Sequence, residues 1–202
     1  MKIGIYGGSF NPPHLGHQNA AVEAAEKCAL DKLLLIPAGI PPHKVMEQGS
    51  PANEHRLAMT RLMGGQAALQ SGVEVEVLDL EMAREGKSYT VDTLRALRRQ
   101  YPNDELLLFM GTDMFFSFES WRAPEEIVRL STLAVCARDG DDWDALADKA
   151  ARLRQTMNAK IEMVRGESLT ISSTELRQGG ALRRYTPPAV ADYIERNHLY
   201  GY

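Results

Sequence analysis

The chain has 202 residues, of which 44% are hydrophobic and 25% charged, and its formal net charge at pH 7 is −4. These values are ordinary for a globular protein, and we expect one domain over residues 1–202. The negative charge argues against a general nucleic-acid binder, which would be basic. No run of about 18 apolar residues occurs, so no membrane span is expected. Two cysteines, interpreted as free thiols, and a strand predicted from Ile3 in place of a signal peptide favour a cytoplasmic protein.

The first 17 residues predict a strand, a tight loop and the start of a helix. The apolar run Ile3–Tyr6 is typical of a buried strand. Gly7 and Gly8 then allow a sharp turn and let a ligand approach bare backbone N–H groups. Helical spacing of apolar residues begins at Leu15. An amide-rich loop followed by a helix start favours an anion-binding site.

Two histidines lie at this helix start. His14 and His17 are three residues apart, which places them on one helix face, so both imidazoles can point at the ligand of the loop. A zinc site is an alternative, but no cysteine or carboxylate lies nearby at ligand spacing. The loop matches neither the Walker A pattern nor the Gly-x-Gly-x-x-Gly pattern of redox dinucleotide folds.

The next elements complete a strand–helix–strand unit. A helix is predicted to about Leu30, and Leu33–Pro37 is a continuous apolar run of the parallel-strand type. The following loop holds His43 and Lys44 on an arm stiffened by two prolines. It leaves the carboxyl end of a strand, where open α/β sheets bind ligands, although a rigid surface turn is the alternative.

The rest of the chain continues to alternate helices and strands. Ser50 and Pro51 are predicted to cap a helix, and the hydroxyls of 88–93 with Asp92 are predicted to cap another. This alternation predicts an α/β fold, a Rossmann-like open, mostly parallel sheet with helices on both faces, with a C-terminal helical portion from about 172. The remaining predicted elements are strands at 73–77, 105–110, 133–137 and 161–164 and helices at 51–70, 90–100, 124–130, 145–158 and 187–198.

Two further stretches carry functional side chains. Asp113 follows the strand 105–110 and a glycine, where it could meet a hydroxyl or a metal-bound water. Ser172 and Glu175 form a capping box, and Arg177 lies one turn further on. A helix N-terminus with hydroxyls and an arginine is typical of a phosphate clamp.

Two sequence signatures resemble those of the nucleotidyltransferase superfamily. His14-Leu15-Gly16-His17 resembles its His-x-Gly-His signature, and Ile171-Ser172-Ser173-Thr174-x-x-Arg177 resembles its second signature. The resemblance implies catalytic roles for His14, His17 and Arg177, which would stabilise charge on the phosphates. The implied ATP-binding residues are Gly7, Gly8, Ser9, Phe10, His14, His17, Ile171, Ser172, Ser173, Thr174 and Arg177.

Other stretches look like the bacterial nicotinate-mononucleotide adenylyltransferases. They are residues 37–44, Ser-Tyr-Thr-x-Asp-Thr at 88–93, Gly-x-Asp at 111–113 with a later tryptophan, and residues 187–194. The resemblance implies transfer of AMP from ATP to nicotinate mononucleotide in NAD biosynthesis, with Mg²⁺ held mainly by ATP phosphates. It also implies that the substrate-binding residues are Lys44, Tyr89, Thr90, Asp113 and Trp121, where Trp121 stacks on the pyridine ring.

One departure and several alternatives accompany this interpretation. Gly179 and Gly180 interrupt the helix after Arg177 earlier than the family pattern leads one to expect. A pantetheine-phosphate adenylyltransferase is the nearest alternative, although that family usually has threonine in place of His14. A cytidylyltransferase and a non-catalytic nucleotide-sensing module are the others. The sequence leaves the oligomeric state undecided and predicts neither a nucleic acid nor a membrane as partner.

Overall fold

The structure is a computed structural model that describes residues 1–40, 49–138, 140–166, 171–179 and 181–202. Within these ranges the strands are β1 (Lys2–Gly8), β2 (Lys32–Pro37), β3 (Glu74–Val77), β4 (Glu105–Gly111), β5 (Thr132–Arg138) and β6 (Ile161–Gly166). The helices are α1 (Leu15–Lys27), α2 (Asn53–Ser71), α3 (Thr90–Gln100), α4 (Thr112–Ser117), α5 (Pro124–Leu130), α6 (Trp143–Met157), α7 (Ser173–Arg177), α8 (Leu182–Tyr185) and α9 (Pro188–Arg196). Two 3-10 turns lie at Phe118–Ser120 and Leu199–Gly201.

The strands of the described residues form one sheet in the order β3-β2-β1-β4-β5-β6. Every neighbouring pair is parallel, and the central strand β1 pairs Tyr6 with Leu35 on one side and with Phe109 on the other. This order is that of the doubly wound α/β fold, in which the direction of chain progression reverses between β1 and β4. The predicted open parallel sheet is therefore confirmed.

The sheet is covered on both faces, which explains its continuous apolar strands. One hydrophobic cluster contains Phe115 of α4, Leu94 of α3 and Leu153 of α6, and the other contains Ala24 of α1 and Ile194 of α9. The strand side chains alternate between these two clusters, so neither face of the central strands is exposed to solvent. This double burial is what the runs at 33–36 and 106–110 indicate in the sequence.

Most predicted boundaries agree with the structure within a few residues, but the predicted cap of α2 is wrong. The helix begins at Asn53 after Ala52, and no side chain caps it. The Ser50 hydroxyl accepts a hydrogen bond from the Asn11 side-chain amide at 2.8 Å. Ser50 is thus bonded to the loop after β1 and does not serve as a helix cap.

Among the described residues, none of the helices has the length and apolar character needed to span a bilayer.

Alanine substitutions at two separate glycines, Gly39 and Gly65, test how closely the loop after β2 is packed. A methyl group on Gly39 would collide with the backbone carbonyl of Glu81, whereas one on Gly65, in α2, would contact nothing within 4 Å. Gly39→Ala should therefore lower the free energy of unfolding by about 1–3 kcal/mol. Gly65→Ala should raise it by about 0.5–1 kcal/mol, because alanine is the better helix former. Urea unfolding of both variants measures the two effects, and equal stabilities would contradict the close approach at Gly39.

Candidate active site

The site lies where the carboxyl ends of β1 and β4 are adjacent in the sheet. The chain leaves β1 towards α1 on one face and leaves β4 towards α4 on the other. A crevice opens at such a topological switch point. Two cavities of about 540 and 490 Å³ occupy it. The residues that line both cavities are Tyr6, Ser9, His17, Phe109, Gly111 and Met114.

The two histidines of the first signature lie against each other at the first cavity. Their ring centroids are 3.8 Å apart and the rings are inclined by 31°. The backbone N–H of His14 donates to Nδ1 of His17 at 3.3 Å. Because Nδ1 accepts a hydrogen bond there, the neutral ring carries its own proton on Nε2. His17 is thereby prepared as a hydrogen-bond donor on its far side.

His14 is buried and electrically neutral at pH 7. Burial lowers the pKa of its imidazole to about 4, an effect that the Glu175 carboxylate opposes. Its Nδ1 is buried and has no hydrogen-bond partner among the described residues.

The second signature is hydrogen-bonded to the loop that precedes the first. The Ser173 hydroxyl donates to the carbonyl of Pro12 at 2.9 Å, and the Arg177 guanidinium donates to the carbonyl of Asn11 at 2.5 Å. Arg177 also donates to the Thr174 hydroxyl at 2.8 Å. Residues far apart in sequence therefore form one wall of the first cavity, to which Ile171, Ser172, Ser173 and Thr174 contribute.

The predicted capping box of α7 is present. The Ser172 hydroxyl accepts from the N–H of Glu175 at 3.2 Å, and the Glu175 carboxylate accepts from the N–H of Ser172 at 2.8 Å. The bonds from Ser172 lower the pKa of that carboxyl. Arg177, by contrast, is not among the residues that line the two cavities.

The second cavity contains a helix start that no side chain caps, so the predicted capping cluster at 88–93 is wrong. Tyr89 is the N-cap residue of α3 and makes no side-chain cap. The hydroxyl of Ser88 donates to the carbonyl of Glu81 at 3.0 Å, and that of Thr93 to the Glu81 carboxylate at 2.9 Å. Thr90 lines the cavity, and its N–H, at the first position of α3, has no partner within the helix. This N–H group can therefore be offered to a ligand.

An indole and a guanidinium complete this cavity. The Trp121 ring lies 5.6 Å from that of Phe118, and Arg122 lies over the Tyr89 ring at 4.5 Å. All three of Tyr89, Trp121 and Arg122 line the cavity. Sequence reasoning did not single out Arg122 or Glu81. Glu81 also lines the cavity, and its burial raises the pKa of its carboxyl, which the bond from Thr93 opposes.

The remaining predicted residues fall in several places. Gly7 and Gly8 line the second cavity, whereas Asp113, expected on the mononucleotide side, lines the first. Phe10 is fully buried and contacts the His17 ring edge-on at 5.1 Å. Lys44 and Gly180 lie outside the described residues.

Arg56 is a further residue that sequence reasoning missed. It is 1% exposed, and its guanidinium donates to the carbonyls of Ser9 and Ala38 at 2.9 and 2.8 Å and to the Asn53 side chain at 2.6 Å. It therefore connects the loops that follow β1 and β2. One sequence signal could have revealed it: an arginine at the spacing of the buried Met59 and Met63 on α2.

No group of three or more His, Cys, Asp or Glu side chains in the described part of the chain is arranged to hold a metal ion. A cage built only from protein ligands is therefore not supported there. The polar cavity beside the two signatures does suit a cation that arrives already bound to phosphate oxygens, since Mg²⁺ commonly takes few protein ligands.

Comparisons with known proteins agree with this geometry. The family described as "Cytidylyltransferase-like" matches residues 5–179. A Geobacter sulfurreducens protein named "Probable nicotinate-nucleotide adenylyltransferase" is 38% identical, over 100% of this chain and 99% of its own. A protein of the same name from Lachnoclostridium phytofermentans is 33% identical, over 98% of both chains.

The chain belongs to the nicotinate-nucleotide adenylyltransferase family. The predicted family is thereby confirmed. Among solved structures, the Plasmodium falciparum nicotinic acid mononucleotide adenylyltransferase complexed with NaAD superposes with a TM-score of 0.75. At 20% identity, over 98% of this chain and 97% of that one, it supports the fold.

The burial of His14 makes a prediction about acid stability. A histidine with a pKa near 6.5 when unfolded and about 4 when folded binds protons preferentially in the unfolded state. Its contribution to the free energy of unfolding is complete above pH 6.5. As the pH falls towards 4, this contribution is lost, and the free energy of unfolding decreases by at most about 3 kcal/mol. His14→Asn should flatten the fall in unfolding free energy between pH 7 and 5.

Urea unfolding at pH 7, 6 and 5 measures this change. His198→Asn serves as the control, because His198 is exposed and its backbone conformation suits asparagine. The control should follow the pH dependence of the unmutated protein. If His14→Asn also follows it, the buried imidazole is not responsible for the acid sensitivity.

Proposed function

We propose that the protein transfers the AMP moiety of ATP to nicotinate mononucleotide, giving deamido-NAD and pyrophosphate. The observation that carries the proposal is the pair of cavities that meet at His17. One is lined by both nucleotidyltransferase signatures and the other by an uncapped helix start and an indole. A nucleotide in the first and a mononucleotide in the second would bring their phosphates together beside His17.

The reaction needs alignment more than it needs a base. An oxygen of the mononucleotide phosphate, already ionised at pH 7, attacks the α-phosphorus of ATP. A new P–O bond forms there while the bond to the β-phosphate oxygen breaks, and its electrons leave with pyrophosphate. Holding the two phosphates in line and stabilising the charge on the equatorial oxygens supplies the acceleration.

The first cavity provides donors for this charge. The His17 ring offers the proton on Nε2, and the loop after β1 offers backbone amides at Ser9 and Phe10. The start of α7 with the Thr174 hydroxyl is proposed to face the β- and γ-phosphates. The Arg177 guanidinium, which does not itself line the cavity, would reach these phosphates from beside Thr174. A divalent cation such as Mg²⁺, held mainly by the ATP phosphates, would neutralise part of their charge.

The second cavity provides the recognition of the pyridine ring. The amides at the start of α3 face an anionic carboxylate favourably, since a helix N-terminus carries partial positive charge. Trp121 offers a stacking surface for the ring. Lys44 and Asp113 are proposed to contact the mononucleotide, with Asp113 reaching it from the wall of the first cavity.

The unmutated protein should prefer the acid mononucleotide over the amide. Nicotinate accepts hydrogen bonds from the α3 amides, whereas the NH₂ of nicotinamide would leave donors facing donors, at a cost of about 1–3 kcal/mol. We expect kcat/KM to favour nicotinate mononucleotide by about 10²-fold. Pyrophosphate release with ATP and either mononucleotide, with phosphopantetheine as a third acceptor, measures this. Values within about threefold for the two mononucleotides would contradict recognition of the carboxylate.

The same assay with two Thr90 variants tests whether the preference for nicotinate mononucleotide comes from the N–H of Thr90. Thr90 is the first residue of α3, a position that tolerates proline, and Tyr89 before it is extended. Thr90→Pro removes the N–H and should narrow the preference, whereas Thr90→Ala keeps the N–H and should retain it. Equal effects of the two substitutions would place the selectivity elsewhere.

His17 should affect turnover more than binding. Because its donated hydrogen bond strengthens as charge develops at the α-phosphate, His17→Ala should lower kcat by about 10²-fold or more, with a smaller change in either KM. Steady-state kinetics and the melting temperature of the variant measure this, with His198→Asn as the control. Near-normal turnover in a folded His17→Ala variant would exclude the proposed role.

A further inference from the structure

Helix α7 is too short to hold Arg177 by itself. It comprises the five residues Ser173–Arg177, and Gly179 follows in a left-handed conformation with φ 89°. A single turn of helix has little stability of its own in water. The position of Arg177 therefore depends on contacts from other parts of the chain.

The segment Leu199–Tyr202, which follows α9, supplies such contacts. The Tyr202 hydroxyl donates to the carbonyl of Leu176 at 2.7 Å, one residue before Arg177. The Tyr200 hydroxyl donates to the side-chain oxygen of Asn11 at 2.8 Å. Leu199, Tyr200 and Tyr202 also pack against the hydrophobic cluster that contains α1, α2 and α9, so both hydroxyls are held by the core.

Asn11 is held at both ends of its side chain. Its oxygen accepts from Tyr200, its amide donates to the Ser50 hydroxyl at 2.8 Å, and the residue is 4% exposed. Its backbone carbonyl accepts the hydrogen bond from Arg177 at 2.5 Å. A fixed Asn11 therefore gives the guanidinium a fixed acceptor, and one edge of the arginine fork is oriented before any ligand binds.

We infer that Tyr200 is a positioning residue for the nucleotide site: through Asn11 it orients Arg177 towards the β- and γ-phosphates of ATP. The inference rests on the proposed function. It explains why the early end of α7 need not leave Arg177 without support. Residues 199–202 supply contacts that a longer helix would otherwise supply within itself. Burial of the Tyr200 hydroxyl, which raises its pKa, is consistent with a hydrogen bond shielded from water.

Tyr200→Phe tests the inference, because it removes the hydroxyl and keeps the ring. A hydrogen bond of this kind contributes about 0.5–1.5 kcal/mol, so the KM for ATP should rise about 2- to 12-fold. The KM for nicotinate mononucleotide should change by less than about twofold. Tyr202→Phe, which acts on Leu176, should give the same pattern and serves as a second variant if the first does not fold.

Tyr193→Phe is the matched control. It removes one tyrosine hydroxyl from α9, whose hydrogen-bond partner is Nδ1 of His55 at 2.9 Å. Both KM values should stay unchanged while the melting temperature falls by an amount similar to that of Tyr200→Phe. An equal rise in both KM values for Tyr200→Phe would show a merely structural role and overturn the inference.

A double-mutant cycle that combines Tyr200→Phe with Arg177→Lys tests whether Tyr200 acts through Arg177. If Tyr200 acts through Arg177, the increase in ATP KM for the double variant should be smaller than the product of the single increases. Multiplicative effects, or an unchanged ATP KM in folded Tyr200→Phe, would overturn the inference. An unmutated protein that releases no pyrophosphate would refute the proposed function instead, so the two failures are distinguishable.

Discussion

The buried guanidinium of Arg56 is the contact on which both ligand loops depend. Its bonds to the carbonyls of Ser9 and Ala38 join the chain just after β1 to the chain just after β2. Since the carbonyl and the N–H of a trans peptide point in opposite directions, fixing the Ser9 carbonyl also fixes the Phe10 N–H on the other side of the loop. An arginine suits this place because its planar fork reaches two acceptors at once and keeps its charge when buried.

This buried bridge explains how two cavities can share a wall. The loop after β1 and the end of β4 contribute residues to both cavities, and His17 also lines both of them. A rigid shared wall sets the distance between two ligands without a moving part. The stacked, hydrogen-bonded histidines add to that rigidity, because the orientation of one ring limits the other.

The sheet, the two signatures and the capping box of α7 could be predicted from the sequence, whereas the predicted caps of α2 and α3 were wrong. Strands such as Leu33–Pro37 carry their own evidence in continuous apolar residues. Local sequence favours the hydroxyls of Ser50, Ser88 and Thr93 as helix caps, but each has a better-placed partner that only the fold brings near, such as the buried Glu81. At these positions the outcome depends on distant donors and acceptors that compete for the hydroxyl, and local sequence does not contain that information. Arg56 was missed for a related reason, since its acceptors are backbone carbonyls of distant loops.

The uncapped start of α3 has a consequence for the balance between stability and affinity. A capping side chain stabilises a helix by about 0.5–2 kcal/mol, and α3 lacks such a cap. A ligand carboxylate would act as the cap, so occupancy and folding are thermodynamically linked at this helix. A variant with a capping side chain in place of Tyr89 would be more stable without ligand, but that side chain would compete with the ligand for the N–H groups of α3. Selection for thermal stability alone would therefore tend to weaken ligand binding in the second cavity.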